Sequence, residues 1–237
     1  MKNQRVLLLY DDHNDSGLLR SVLAGEGCEV EEAPLNLQKA GPDDAYRIVI
    51  FDIQRLSARL LEVIRAWRDV ASETMLIVAG SRAAQASRIA ALETGVDAYL
   101  TKPLAIPELQ ARIRAALRRF QSHDSRLRRF PLGTGMIDLE ARVIRRGDRD
   151  TRLTPTECGI LEHLASHMNQ TVPSTDLVKT LWGSDPQKGV HSLRLFIRKL
   201  RNKLEPDPAR PCYLVTEPTI GYRLQVSPEL VNKSLDH

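Results

Sequence analysis

A chain of 237 residues with 42% hydrophobic content is long enough for two cored domains, and its formal charge of +4 sits entirely in one half. Residues 1–121 carry 16 Lys/Arg and 16 Asp/Glu, so the whole excess lies in 122–237, which points to a neutral half joined to a half that seeks an anionic partner. The three cysteines, Cys28, Cys158 and Cys212, are scattered and odd in number, and no segment approaches the roughly 20 apolar residues of a membrane span. These features argue against a disulfide framework, a zinc site and a membrane protein, and lead to the expectation of reduced thiols in the cytoplasm.

The first half alternates short apolar runs with helical patterns. Val6–Tyr10 is strand-like and runs into Asp11-Asp12; 18–25 is helical; 29–33 is a second strand. The run 47–51 ends at Asp52, and 60–67 is helical with Leu60, Leu61, Ile64 and Trp67 on one side. Met75–Ala79 is a fourth strand, 84–93 a helix stopped by Gly95, 97–101 a fifth strand ending in Lys102-Pro103, and 106–120 a closing helix. Strands without polar alternation are buried on both faces, which predicts a five-stranded, doubly wound parallel sheet covered by helices. In such sheets chemistry collects at the carboxyl ends of the strands, where Asp11, Asp12, Asp52, Ser81 and Lys102 stand.

Residues 122–130 are polar and aperiodic and read as a linker between a domain over 1–121 and one over 131–227, with 228–237 as a tail. Beyond the linker, 136–139, 141–145 and the stretch after Gly147-Asp148 predict a small antiparallel sheet. Thr154-Pro-Thr-Glu157 is a capping box with Pro at the first helical position, opening a helix to about 167. A second helix follows over 174–182. The third, Val190–Leu204, sets Leu193, Ile197, Leu200 and Leu204 on one face and His191, Arg194, Arg198 and Arg201 on another, flanked by Lys199 and Lys203, with no acid in the window. One face packs and the other meets phosphates; a merely solvated charged face is the alternative. Strands 213–216 and 222–225 make a hairpin around Pro218-Thr-Ile-Gly221. Three helices with a basic third, then a hairpin, form a winged helix-turn-helix that lays the third helix in the major groove. Arg194 and Arg198 are the candidates for guanine readout, Lys199, Arg201 and Lys203 for phosphates, and Ser192, Thr216, Thr219, Gly221 and Tyr222 complete the DNA-facing set.

Over nearly its full length the chain resembles the OmpR/PhoB class of two-component response regulators. The residues that carry this are Asp11, Asp52, Tyr99 and Lys102-Pro103 in the first half, and Leu153-Thr-Pro-Thr-Glu157, Leu200-Arg-Asn-Lys-Leu-Glu205 and Gly221-Tyr-Arg223 in the second. The resemblance implies a non-enzymatic transcription regulator. It further implies that a sensor histidine kinase phosphorylates Asp52, that Mg²⁺ is held by Asp11, Asp12 and Asp52, and that Lys102, Ser81 and the switch aromatic Tyr99 support the phosphate. It also implies a homodimer on double-stranded promoter DNA, engagement of RNA polymerase, and a dimer face built from Arg88, Leu92, Asp97, Glu108, Leu109, Arg112, Ala116 and Arg119. The sequence departs from the pattern at Tyr10, where the class has its first acid; at Gly80, where it has a hydroxyl with Ser81 one place late; at Leu56 and Pro218; and at Ala98, where it has a second Asp. A degenerate receiver that works without phosphorylation is therefore the alternative. An aspartyl-phosphate enzyme is a third reading, which Gln54 argues against because such enzymes keep a second Asp there. A scaffold that binds RNA or polymerase is a fourth.

Overall fold

The computed structural model describes residues 4–11, 13–35, 45–81, 85–119, 129–183 and 186–226. Asp12, residues 122–128 of the expected linker, the tail and the side chain of Arg119 lie outside the described residues. The chain divides into two compact units, Met1–Phe120 and Gln121–His237.

The first unit runs β1 (Gln4–Tyr10), α1 (His13–Gly25), β2 (Cys28–Pro34), β3 (Ile48–Asp52), α2 (Ala58–Val70), β4 (Met75–Gly80), α3 (Gln85–Thr94), β5 (Ala98–Thr101) and α4 (Ile106–Arg119). All five strands are parallel, in the order β2-β1-β3-β4-β5. Every residue of β3 and β4 is buried, as their unbroken apolar runs require of central strands covered on both faces. Helix α2 starts where the Ser57 hydroxyl accepts the Leu60 N–H at 3.2 Å, and it buries Leu60, Ile64 and Trp67. The Trp67 ring meets Phe51 of β3 edge-on, with centroids 6.5 Å apart.

The last turn of α2 also holds Arg68, whose guanidinium donates to the carbonyls of Ser72, Thr74 and Gly95 and to Asp97 at 2.5 Å. The Asp97 carboxylate is wholly buried and also accepts the Leu76 N–H at 3.0 Å. Asp97 therefore ties α2, β4 and the start of β5 together inside the unit. Its expected place on an exposed dimer face is corrected, because a buried carboxylate with a buried cationic partner has nothing left to offer a second copy. Leu92, Leu109 and Ala116 are corrected for the same reason. They are 2%, 1% and 0% exposed, so they do not form an open apolar centre, and among the described residues the exposed large apolar side chain of α4 is Ile106.

The second unit opens with a four-stranded antiparallel sheet, β6 (Arg129–Leu132), β7 (Gly135–Asp138), β8 (Val143–Arg146) and β9 (Arg149–Arg152), in chain order. Strand β6 begins two residues inside the expected linker, because Arg129 and Phe130 pair with Asp138 and Ile137. Helix α5 (Pro155–Ala165) follows, then β10 (Thr171–Pro173), α6 (Ser174–Trp182), α7 (Pro186–Leu204), β11 (Leu214–Glu217) and β12 (Gly221–Leu224). The hairpin β11–β12 gains a third strand, giving the order β10-β12-β11. Helix α6 ends at Gly183, whose φ of 59° is the left-handed conformation that glycine adopts at least cost. Leu193, Phe196, Ile197, Leu200 and Leu204 of α7 are all at most 2% exposed. Trp182 is core, stacked at a tilt on Phe196 with centroids 5.9 Å apart.

Candidate functional site

Two places answer to the sequence expectations, one in each unit. In the first, β1 and β3 are neighbours in register, with Tyr10 opposite Asp52, so their carboxyl ends bring Asp11 beside Asp52. The Asp11 N–H donates to the Asp52 carbonyl at 3.0 Å. The Asp52 side chain is wholly buried, and Lys102 Nζ reaches it from the end of β5 at 2.6 Å. The Lys102–Pro103 peptide is cis. The Asp11 carboxylate accepts the Gln54 N–H with both oxygens, at 2.8 and 3.1 Å. Ser81 does not point at Asp52; its hydroxyl donates to the Gln54 carbonyl at 2.5 Å.

Tyr99 is 7% exposed, and its hydroxyl donates to the Ser81 carbonyl at 3.2 Å. Burial raises its phenol pKa, while the nearby charges of Arg88 and Lys102 pull it the other way. The ring fills the space above Gly80, where an added Cβ would lie 2.5 Å from the Tyr99 oxygen. The absence of a hydroxyl at position 80 and the inward seat of Tyr99 are therefore one packing arrangement. Gln54 is the residue of this site that sequence reasoning misses as a contributor; its signal is its place in the loop two residues past Asp52.

In the second unit, α7 exposes His191, Arg194 and Arg198, with Ser192 half-buried on the same helix. Lys199 is half-buried, its ammonium 5.5 Å from the Phe196 ring centroid. Arg201 is turned toward the hairpin. It donates to the Leu214 carbonyl at 2.8 and 3.0 Å and to Thr216 Oγ1 at 2.6 Å. Lys203 is corrected from a phosphate contact to an internal one. Its ammonium lies 2.5 Å from Glu157 Oε2 and donates to the Arg152 carbonyl at 2.9 Å. Glu157 is the capping-box acid, 1% exposed, and it also accepts the Thr154 N–H at 2.8 Å. One carboxylate thus starts α5 and anchors the end of α7.

Gly221 and Tyr222 are also corrected. Gly221 is buried against β10, so close that a Cβ there would overlap the Val172 carbonyl oxygen. Tyr222 is 7% exposed, its phenol pKa raised by burial and opposed by Arg194 and Arg201. Thr216 and Thr219 are exposed, Thr219 at the hairpin tip with a φ of 64°. On the first unit's expected dimer face, Arg88 is half-buried, and Glu108 and Arg112 pair within α4 at 2.9 Å.

Residues 148–224 match the family model described as "Transcriptional regulatory protein, C terminal". The KDP operon transcriptional regulatory protein KdpE of Escherichia coli (strain K12) is 37% identical over 224 residues, which cover 93% of this chain and 99% of the relative. The chain belongs to the OmpR/PhoB-class response regulators. A sensory transduction protein, RegX3 of Mycobacterium bovis, is 31% identical over 228 residues, covering 93% of this chain and 98% of its own. The solved structure of a cysteine-to-serine mutant of RitR superposes with a TM-score of 0.69 at 22% identity over 95% of this chain and all of its own, a likeness of fold.

This response regulator is a two-component transcriptional regulator with a DNA-binding second unit, so its partner classes are DNA and a sensor kinase. Its relatives are transcriptional regulators rather than enzymes. Among the described residues no helix is long and apolar enough to cross a membrane.

Proposed function

We propose that this cytoplasmic response regulator accepts a phosphoryl group on Asp52 from a sensor histidine kinase. As a homodimer it then binds double-stranded promoter DNA through α7 and the β11–β12 hairpin, where it engages RNA polymerase. In the transfer, the P–N bond of the kinase's phosphohistidine breaks and a P–O bond forms to an Asp52 carboxylate oxygen. The observation that carries the acceptor role is the Lys102–Asp52 contact of 2.6 Å at the carboxyl edge of the sheet. Lys102 offsets the carboxylate charge before transfer and would meet a phosphoryl oxygen after it. Asp11, Asp52 and the Gln54 carbonyl would offer hard oxygen ligands, the donor type that Mg²⁺ takes while retaining several waters. When bound, that ion supplies positive charge against the incoming phosphoryl oxygens.

Reading of DNA falls to the exposed His191, Arg194 and Arg198, with Arg194 and Arg198 suited to bidentate contact with guanine. Ser192, Lys199, Thr216 and Thr219 complete the contact surface. Two copies would occupy half-sites about one helical turn apart. The rim of the dimer face would be Arg88, Glu108 and Arg112, with the exposed Ile106 on the same helix as the last two.

One observation favours a second reading, a receiver that signals without phosphorylation. The Tyr99 oxygen occupies the space a phosphate-sensing hydroxyl would need at position 80. Incubation with acetyl phosphate and Mg²⁺ followed by intact mass separates the two. A gain of about 80 Da, one phosphoryl group, that vanishes in Asp52→Asn supports the acceptor. No gain in the wild-type chain supports the second reading.

A further inference from the structure

Glu205 is the first residue after α7, in a stretch whose next five residues, 206–210, are all exposed; yet Glu205 itself is 4% exposed. Its carboxylate gathers the start of the hairpin. One oxygen accepts from Leu214 N–H at 2.7 Å and Tyr213 N–H at 3.1 Å, the other from Cys212 N–H at 2.9 Å and Tyr213 N–H at 3.1 Å. The Cys212 thiol adds a weaker contact at 3.4 Å. Strand pairing of β11 begins only at Leu214, opposite Leu224, so the amides of 212 and 213 precede the ladder. The Leu214 amide is buried and those of Cys212 and Tyr213 partly so, and an N–H taken out of water is costly unless an acceptor meets it.

The grip has a second side. Arg201 stands one helical turn before Glu205, and the two are joined by the Glu205 N–H to the Arg201 carbonyl at 2.9 Å. Arg201 holds the Leu214 carbonyl while Glu205 holds the Leu214 N–H. Both backbone groups of one strand residue are thus clamped, by Arg201 from the last turn of α7 and by Glu205 just past its end. The end of α7 is fixed in turn by Lys203 on Glu157 and by Arg146, whose guanidinium donates to the Leu204 carbonyl.

We propose that Glu205 is a positioning residue for DNA binding: it seats the β11–β12 hairpin on the end of α7 and so sets where the hairpin meets the duplex relative to the helix. This rests on the reading of the hairpin as a DNA-contacting element. The chemistry calls for a carboxylate. Three N–H donors need an acceptor-only group with several lone pairs, and the isosteric amide of Gln presents one oxygen and an NH₂ that faces donors with a donor.

The test uses the full chain and a duplex recovered by the wild type from a random-sequence pool, with hydroxyl-radical footprinting and affinity as readouts. The wild type should protect the backbone around the α7 contact and a separate flanking strip. Glu205→Gln should keep the first, lose the second and bind about tenfold more weakly, the scale of one charge-assisted contact. The amides of 212–214 should exchange faster with solvent, and Glu205→Asp should recover part of the strip.

A wild-type footprint and affinity in Glu205→Gln overturn the proposal. So does a uniform fading of both protected regions that tracks a lowered melting temperature, which is what a purely structural role predicts. A wild-type footprint with no flanking strip overturns the hairpin reading itself and the proposal with it. If Glu205→Gln fails to fold, Glu205→Asp carries the same comparison.

Discussion

Replacing Lys203 by Met separates two roles that a basic helix leaves confounded. A phosphate-binding lysine contributes to affinity through counterion release, and its loss lowers the slope of log affinity against log salt by about 0.9. An internal lysine contributes to stability instead. Here the Lys203 ammonium, a quarter exposed, sits 2.5 Å from a Glu157 carboxylate that is 1% exposed. Removing one partner of a buried pair costs about 3–5 kcal/mol because the other charge stays behind. Glu157 keeps the Thr154 N–H at 2.8 Å, and water can enter from the lysine's open side, so the expected loss is about 2 kcal/mol. In a urea melt of the full chain this moves the transition of the second unit down by about 1 M. The salt slope on a duplex selected by the wild type should stay unchanged at temperatures where the variant is folded. Stability within about 0.5 kcal/mol of wild type together with a slope lowered by about 0.9 would refute the internal assignment.

Three further outcomes follow from the packing. Arg68→Met should cost the first unit about 3–5 kcal/mol in a denaturant melt, because Asp97 is left wholly buried without its cation; a loss below about 1 kcal/mol would contradict the Arg68–Asp97 tie between α2 and the start of β5. Gly221→Ala should cost about 3 kcal/mol and weaken DNA binding, because the new methyl displaces the Val172 carbonyl and with it β10. Gly25→Ala, where an added Cβ meets nothing within 4 Å, should stay within about 0.5 kcal/mol, and equal effects of the two would be inconsistent with the register. His163 has a pKa held below its ordinary 6.5, first by burial and then by His167, with Asp176 opposing. The unfolded chain therefore binds a proton at this site before the folded one does, and the contribution of neutral His163 is complete above pH 6.5 and lost as pH falls below it. His163→Gln should flatten that limb of the stability profile, and parallel wild-type and variant profiles would remove His163 as its source.

The layout was legible in the sequence wherever a pattern had enough length to repeat. The apolar runs of β1, β3 and β4 have no polar alternation, and the environment that accepts such strands is the interior of a parallel sheet, which is where they lie. Thr154 and Glu157 announced the start of α5 because a capping box is satisfied within four residues. The contacts that were not legible are long-range. Asp97 reads as surface until Arg68, 29 positions earlier, is brought beside it, and Lys203 reads as DNA-facing until Glu157, 46 positions earlier, is. Strand β10 is three residues long, too short for any period to show, and its existence became visible only through its pairing with β12. Helical spacing gives the angle at which a cation leaves the helix but not which element waits there, and so it placed Arg194 and Arg198 on the outside and Lys203 wrongly among them.

The inward turn of Arg201 and Lys203 bears on how such a protein finds its target in a genome. Each cation offered to the phosphodiester backbone strengthens attachment to every sequence alike, and a chromosome presents an enormous excess of irrelevant sites. On the proposed reading of α7, tethering those two side chains to the chain's own carbonyls and to Glu157 withholds them from that indiscriminate attraction and leaves discrimination to His191, Arg194 and Arg198. A looser hold on arbitrary DNA shortens each unproductive stop, so the ratio of right to wrong occupancy rises even though no contact with the correct site has been added.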